Sequence, residues 1–173
     1  MRPEVPVVLL MGGSLGLGGL EEAAAALLSS GRAMDLVVVA GHNARLRRRL
    51  ERLEAAGEAR LKVLGFVDFV HELMAAADLF VSKPGGLSMT EAVTVGVPTL
   101  AIAPLPGQEL ANLRHLLSQG VVASPREGEG LAEAVERLLD DSAARDALRA
   151  ACGRYARHHA ARRVAERLLD MIG

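Results

Sequence analysis

Two glycines, two hydroxyl residues and one carboxylate occur close together in the sequence KPGGLSMTE. Gly85 and Gly86 leave the backbone N–H groups at the start of a predicted helix open to an anion such as a phosphate. Ser88 and Thr90 add hydroxyl donors. Glu91 follows about one helical turn later, and an ionised carboxylate has two acceptor oxygens that suit both hydroxyls of a cis diol. One hypothesis for the segment is therefore a site that holds a phosphate and a pair of sugar hydroxyls.

The same residues also have a purely structural interpretation. An acid near a helix start interacts favourably with the helix dipole by about 0.3–1 kcal/mol, so Glu91 by itself does not require a ligand. Lys83 is either a phosphate contact or a solvated charge at the end of a strand. Taken in isolation, the segment favours the structural interpretation for both Glu91 and Lys83.

A second glycine-rich segment, GGSLGLGGL, stands near the amino terminus and also precedes a helical pattern. Its spacing is neither G-x-G-x-x-G nor G-x-x-x-x-G-K-[ST], and no acid ends the second predicted strand. A dinucleotide site of the dehydrogenase type is therefore disfavoured. Gly12 and Gly13 could contact an anion, and a tight turn that packs the helix on the strand is an equally favoured alternative.

Two further loops carry residues suited to a sugar nucleotide. In PLPGQELANL, Gln108 and Asn112 are four residues apart and face the same side of a predicted helix, and Glu109 stands beside Gln108. An amide beside a carboxylate supplies both donors and acceptors for sugar hydroxyls, and a capped polar helix is the alternative. In GFVD, Phe66 offers a wall for a flat base and the loop offers backbone groups to its edge, although a phenylalanine is more commonly a core residue.

Composition excludes several classes of protein. The chain has 173 residues, half of them hydrophobic, with 20 Lys plus Arg against 21 Asp plus Glu, which indicates a globular domain with a sizeable core. Aromatic residues make up 2% and tryptophan is absent, so neither charge nor stacking capacity favours a nucleic-acid partner. Cys152 is the single cysteine, and no His/Cys cluster or Asp-x-Asp has metal-binding spacing. The apolar runs are too short for a transmembrane segment.

Six apolar segments alternate with helical patterns. Continuous apolar runs are typical of strands buried on both faces of a parallel sheet, and the alternation predicts right-handed βαβ units. Ligands of such sheets bind beyond the carboxyl ends of the strands, where the four loops fall. The sequence therefore predicts an α/β fold: a Rossmann-like, doubly wound, parallel six-stranded sheet with extra C-terminal helices. The predicted strands are residues 5–11, 35–40, 60–66, 78–82, 98–103 and 121–123.

Polar residues at the predicted helix starts indicate caps. Asn43 precedes the leucines at 46, 50 and 53, with Gly57 as a stop, and Asp68 precedes another helical pattern. Ser142 is placed to cap one of the C-terminal helices. The basic clusters at 45–52 and 154–167 have acidic neighbours, so pairing at i, i+4 is favoured over contact with anionic lipid.

In order and separation, the segments GGSLG, GF, SKPGGLSMTEAVTVGVPTL and PLPGQELANLRHLLSQG resemble the carboxyl-terminal, donor-binding domain of inverting GT-B glycosyltransferases. The resemblance is strongest to monogalactosyldiacylglycerol synthases and processive diacylglycerol glucosyltransferases of glycosyltransferase family 28. The N-acetylglucosaminyltransferase of peptidoglycan lipid synthesis is a more distant relative, with two glutamines where this chain has Gln108 and Glu109. The resemblance covers nearly the whole chain, so the fold it implies is one half of a GT-B fold.

The resemblance implies a UDP-sugar donor, with no cofactor and no metal at the diphosphate. Glu91 would hold the ribose hydroxyls, and Phe66 and Val67 would flank the uracil. Gln108 and Glu109 would bind the hexose, with Asn112 supporting them. The diphosphate would be held by the first glycine loop and by the helix start that follows the fourth strand, namely by Gly13, Ser14, Lys83, Gly85, Gly86, Leu87 and Ser88.

The resemblance further implies that residues 1–173 form a donor-binding domain, and that an absent N-terminal domain binds a lipid acceptor such as diacylglycerol and supplies the general base. The chain alone is then expected to be inactive, either as a fragment or as a donor subunit that needs a partner chain. A cytoplasmic location is expected, with peripheral contact with the inner membrane face. The alternatives are a non-catalytic nucleotide-sugar-binding module and, less favoured, half of a UDP-sugar epimerase.

Overall fold

The computed structural model describes residues 4–12, 19–102, 104, 106–156 and 160–172. Its centre is a parallel sheet of five strands in the order β3-β2-β1-β4-β5. The alternation of apolar runs with helical patterns therefore predicted the α/β class correctly. The strands are β1 (Val7–Met11), β2 (Asp35–Val39), β3 (Arg60–Leu64), β4 (Leu79–Ser82) and β5 (Thr99–Ala101).

Helices cover both faces of the sheet. Each of the first four strands is followed by a helix that returns the chain to the start of the next strand, as parallel pairing requires. The last three helices follow one another with no strand between them among the residues that the structure describes. The helices are α1 (Leu20–Ser29), α2 (Ala44–Leu50), α3 (Val70–Ala75), α4 (Gly86–Val95), α5 (Gln108–Ser118), α6 (Leu131–Asp140), α7 (Ser142–Tyr155) and α8 (Ala160–Ile172).

The core consists of two apolar clusters, one on each face of the sheet. Side chains alternate across a strand, so Val8 and Leu10 of β1 enter one cluster and Leu9 enters the other. The first cluster is closed by α1, α2 and α6, and the second by α3, α4 and α5, while α7 contributes to both. Because both faces are buried, the strands in the middle of the sheet read as continuous apolar runs.

The chain changes direction across the sheet between β1 and β4. After β1 it builds outward through β2 and β3, and it then returns to the other side of β1 to add β4 and β5. The loops that follow β1 and β4 therefore lead to opposite sides of the sheet, and a crevice opens between them beyond the carboxyl ends of these strands. The KPGGLS loop after β4 lies at this crevice.

The predicted sixth strand is wrong. Residues 121–123 reach the sheet, but only Ala123 pairs, in an isolated parallel bridge with Leu100. Its N–H donates to the carbonyl of Thr99 and its carbonyl accepts from Ala101, each at 2.8 Å. The predicted burial of the third strand on both faces is also wrong. As the edge strand, β3 leaves Arg60 and Lys62 exposed.

The predicted caps have mixed outcomes. Asn43 caps α2 by accepting a hydrogen bond from Leu46 N at 2.9 Å, although that helix ends at Leu50, before the predicted stop. Asp68 does not cap α3, which begins after Phe69 without a side-chain cap bond. Asp141 caps α7 instead of Ser142, because its carboxylate accepts from Ala144 N at 2.8 Å.

Among the described residues, no helix combines the length and the apolar character needed to cross a bilayer.

Candidate functional site

The start of α4 is an open set of backbone donors. Its N-cap residue, Gly85, has extended backbone and supplies no side chain to the helix, and the first turn contains no acid. The carbonyl of Gly85 accepts from Met89 N at 3.0 Å, so regular helical bonding begins there. The N–H groups of Gly86, Leu87 and Ser88 precede that bond and have no acceptor one turn earlier in the helix. Such a terminus attracts an anion.

The two glycines at this start are not required by the folded chain itself. A Cβ added at Gly85 or at Gly86 would meet no protein atom within 4 Å, and neither residue has a positive φ. Neither close packing nor backbone conformation therefore accounts for them. Their remaining physical effect is to keep space free above the helix start.

A cavity of about 590 Å³ lies at this helix start, beyond the carboxyl ends of β1, β2, β3 and β4. It coincides with the crevice at the change of direction in the sheet. Seven of the predicted site residues line it together: Phe66, Val67, Gly85, Gly86, Leu87, Ser88 and Glu91. The remaining lining residues are Met11, Val39, Gly41, Asp68, Val70 and His71.

Phe66 is not a core residue. Its side chain is 61% exposed at the mouth of the cavity, where its ring stacks on that of His42 with centroids 4.2 Å apart and planes 14° apart. Val67, the next residue, turns inward and packs against the apolar cluster beneath α4. The GFVD loop thus presents an aromatic surface while it is anchored from below.

The position of Glu91 in α4 argues against a role in stabilising the helix dipole. It lies beyond the first turn, where the favourable interaction of an acid with a helix start has fallen off. Its side chain is exposed and lines the cavity, about one turn after the open N–H groups. The carboxylate is therefore accessible from the cavity.

Other predicted residues lie outside this cavity. Gln108 and Glu109 occupy the first turn of α5, and Lys83 lies half-buried before the glycines. The side chain of Asn112 forms a hydrogen bond within the protein, since its Nδ2 donates to the carbonyl of Pro84 at 3.1 Å. This bond links α5 to the loop before α4. Thr90 is also engaged internally, since its hydroxyl donates to the carbonyl of Gly86 at 2.7 Å.

Asn112 and Thr90 line a second, mainly apolar cavity of about 300 Å³ between α4, α5 and the end of α7. It shares Gly86 with the first cavity. Gly13 and Ser14, which were predicted to contact the diphosphate, lie outside the described residues.

Sequence reasoning missed several residues at the mouth. Asp68 and His71 are exposed polar residues of the lining, although the sequence analysis considered Asp68 only as a cap. Gly41 lines the cavity where β2 ends, and His42 backs Phe66. Their positions just after predicted strands were the available signal, because the carboxyl ends of parallel strands meet at one edge.

Residues 16–159 match the family described as glycosyl transferases group 1. The chain belongs to this family. The match includes the KPGG helix start, the GFVD loop and the PGQE segment. Membership of this family agrees with a helix start that has open N–H groups and lies beside a cavity at the edge of a parallel sheet.

A comparison with curated proteins identifies a more similar group within the glycosyltransferases. The chain is 36% identical over 142 residues to the processive diacylglycerol beta-glucosyltransferase of Bacillus subtilis (strain 168). That alignment covers 82% of this chain and 37% of the relative. The chain thus spans little more than a third of the length of this relative, and the resemblance predicted from the sequence is confirmed.

Solved structures confirm the fold as half of a GT-B glycosyltransferase. MurG of Acinetobacter baumannii superposes with a TM-score of 0.78 at 20% identity, over 96% of this chain and 52% of MurG. A UDP-N-acetylglucosamine 2-epimerase of Listeria monocytogenes, described as putative, superposes with a TM-score of 0.71 at 20% identity, over 94% of this chain and 43% of the epimerase. At these identities the superpositions establish the architecture alone.

Proposed function

We propose that this chain binds a UDP-sugar and is the donor-binding part of an inverting glycosyltransferase whose acceptor is a lipid such as diacylglycerol. The observation that carries the proposal is the convergence of three features on one cavity. These are the open helix start at Gly86, the carboxylate of Glu91 and the aromatic ring of Phe66. They match a diphosphate, a ribose diol and a nucleobase respectively.

The proposed chemistry of this domain is stabilisation of the departing UDP. As the bond from the sugar to the diphosphate breaks, negative charge develops on the phosphate oxygens. The N–H groups of Gly86, Leu87 and Ser88 are fixed dipoles already aimed at that position, so they need no reorganisation when the charge appears. In this proposal the backbone dipoles stabilise the charge on the diphosphate, and no metal ion is required there.

The remaining parts of the reaction are assigned to another domain. The acceptor hydroxyl attacks the sugar carbon from the side opposite the leaving UDP, and this requires a general base near that face. In our proposal a second domain supplies the base and the lipid site, either in the same polypeptide or in a partner chain. Gln108 and Glu109 at the start of α5 would contact the hexose. The lipid acceptor would bring the complex to the membrane surface.

A donor-binding module without transfer activity is the alternative within the same site chemistry. An epimerase half-domain is the less favoured alternative, because the epimerase likeness is one of fold. Incubation with UDP-N-acetylglucosamine, followed by NMR, tests the epimerase alternative: a new epimer at C2 of the sugar would indicate an epimerase and contradict our proposal.

Calorimetry with UDP tests the donor site directly. We expect the unaltered chain to bind UDP and Glu91→Ala to bind it at least about tenfold more weakly, because a charge-assisted hydrogen bond contributes about 1.5–3 kcal/mol. NAD serves as the comparison ligand. Binding of NAD without binding of UDP would overturn the proposal, and equal UDP affinity in the Glu91→Ala variant would remove Glu91 from the site.

The helix start has its own matched pair of variants, Gly86→Ala and Gly153→Ala. Both glycines are helical, and an added Cβ meets no protein atom within 4 Å at either one. We therefore expect both variants to fold with stability unchanged or raised by up to about 1 kcal/mol. Only Gly86→Ala should weaken UDP binding, because its methyl group occupies the space assigned to a phosphate. Equal UDP affinity in the two variants would contradict the assignment.

A further inference from the structure

His42 and Phe66 form an exposed aromatic pair at the rim of the candidate site. The two rings are nearly parallel, with centroids 4.2 Å apart and an interplanar angle of 14°. Both side chains are exposed, so the stack is not a consequence of burial in the core. Phe66 lines the cavity, whereas His42 lies behind it and does not.

Local structure holds His42 in place. It follows Gly41, whose φ of 60° turns the chain sharply at the end of β2. It precedes Asn43, which caps α2, and its own carbonyl accepts from Ala44 N at 3.0 Å. The backbone on both sides of His42 is therefore fixed, and the imidazole projects from a short, tightly turned loop.

The loop that carries Phe66 lies against this turn. Gly65 is so close that an added Cβ would lie 3.4 Å from a guanidinium nitrogen of Arg47 and 3.8 Å from the carbonyl oxygen of Gly41. The loops after β2 and β3 are thus in contact, since those strands are neighbours in the sheet. Beyond this contact, the stack on His42 is the one aromatic contact of Phe66 among the described residues.

We propose that His42 is a positioning residue, which acts on the nucleobase through Phe66 by holding its ring upright at the mouth. The inference rests on the proposed UDP site and adds to it a residue that has no place in the donor contacts assigned above. An exposed phenylalanine without a neighbour would sample several rotamers, and ordering it would reduce the affinity for a base. Stacking on His42 orders the ring before the base arrives.

Two variants at His42 and one control variant on the following helix separate stacking from other roles of His42. His42→Ala removes the ring, and His42→Tyr restores an aromatic face without an imidazole. Arg48→Ala, an exposed change on the following helix, serves as the control. Calorimetry with UDP and with inorganic pyrophosphate is then carried out on each variant, and the thermal midpoint without ligand shows whether each one folds.

We expect His42→Ala to bind UDP about 3- to 10-fold more weakly while its affinity for pyrophosphate stays unchanged, because pyrophosphate has no base to stack. His42→Tyr should recover most of the UDP affinity, and Arg48→Ala should match the unaltered chain. A merely structural role would instead weaken both ligands together and would not be rescued by tyrosine.

The outcomes also separate this inference from the proposed function. If the unaltered chain binds no UDP, the donor site itself is wrong. If it binds UDP and His42→Ala binds UDP equally well, the positioning role is overturned while the donor site stands. Equal losses for UDP and pyrophosphate in a folded His42→Ala variant would likewise overturn the role.

Discussion

The same five residues, Glu-Arg-Leu-Leu-Asp, occur in two helices of this protein, and their leucines are buried in one helix and exposed in the other. In α6 they span residues 136–140, and in α8 they span residues 166–170. Leu138 and Leu139 of α6 are 2% and 8% exposed, whereas Leu168 and Leu169 of α8 are 56% and 64% exposed. The local pattern is identical, so the difference arises entirely from what each helix packs against.

The neighbours of α6 explain its burial. It packs against α1, α7 and β4, and four of its residues enter the apolar cluster on one face of the sheet. No described residue of α8 is buried, although its apolar residues lie on one side of the helix. An amphipathic pattern therefore specifies a helix and the position of its apolar face. It does not specify whether another part of the protein packs against that face.

Truncation of Leu138 has the largest expected effect on this comparison. Leu138→Ala removes buried methyl groups and leaves a cavity in a packed cluster, so we expect the free energy of unfolding to fall by about 2–5 kcal/mol. Urea denaturation monitored by circular dichroism measures it. A loss below about 1 kcal/mol would mean that α6 is not held in the core as its burial indicates.

The ion pairs that the two pentapeptides form should differ in their effect on acid stability. The guanidinium of Arg137 binds both carboxylate oxygens of Glu129, at 2.6 Å and 2.9 Å. With a further bond from Arg126 N, this lowers the pKa of Glu129 from its ordinary 4.5 to about 2. Because the pKa is lower in the folded state, the stabilisation is present above about pH 4.5 and is lost as the pH falls towards about 2.

We therefore expect Glu129→Gln to remove part of the pH dependence of stability between about pH 4.5 and pH 2, with a smaller effect than Leu138→Ala. Urea midpoints at several pH values in this range measure it. Glu166→Gln is the matched change in α8, where Arg162 forms an exposed i, i+4 pair that contributes little. Parallel pH profiles for the unaltered chain and Glu129→Gln would contradict the assignment.

Truncation of Leu168 has the smallest expected effect. Since its side chain contacts solvent, we expect Leu168→Ala to change the free energy of unfolding by no more than about 0.5 kcal/mol. The measurement is the one used for Leu138→Ala, repeated at two protein concentrations. A loss above about 1 kcal/mol that grows with concentration would show that copies of the chain cover α8 in solution. The contrast between a buried α6 and an exposed α8 would then be wrong.

Some site residues could be predicted from sequence because their chemistry is local. The glycines at 85 and 86 stand directly before a helical pattern, and Glu91 lies in the same helix. Their relation to one another was fixed once a helix was predicted. Phe66 and Val67 lie in a different βα unit, and their place at the same cavity followed from the rule that ligands bind beyond the carboxyl ends of parallel strands.

The hydrogen-bond partners of the side chains near the cavity could not be predicted in the same way. Asn112 has the residue type of a sugar ligand, but its amide is bonded to the carbonyl of Pro84, 28 residues earlier in the chain. Thr90 was considered a phosphate donor, and its hydroxyl bonds to its own helix. Each outcome depends on which acceptor lies nearest in space, and sequence spacing contains no information on that distance.

The sequence by itself determined the α/β class, the strand-helix alternation and the helix start at Gly86, because these depend on apolar periodicity and on backbone conformation within short segments. Tertiary structure alone decided that β3 is an edge strand, that residues 121–123 pair through a single bridge, and that Phe66 stacks on His42. It also buried one Glu-Arg-Leu-Leu-Asp segment and left the other in solvent. The physical reason is that burial and contact are properties of pairs of surfaces, whereas a sequence segment specifies only one of the two.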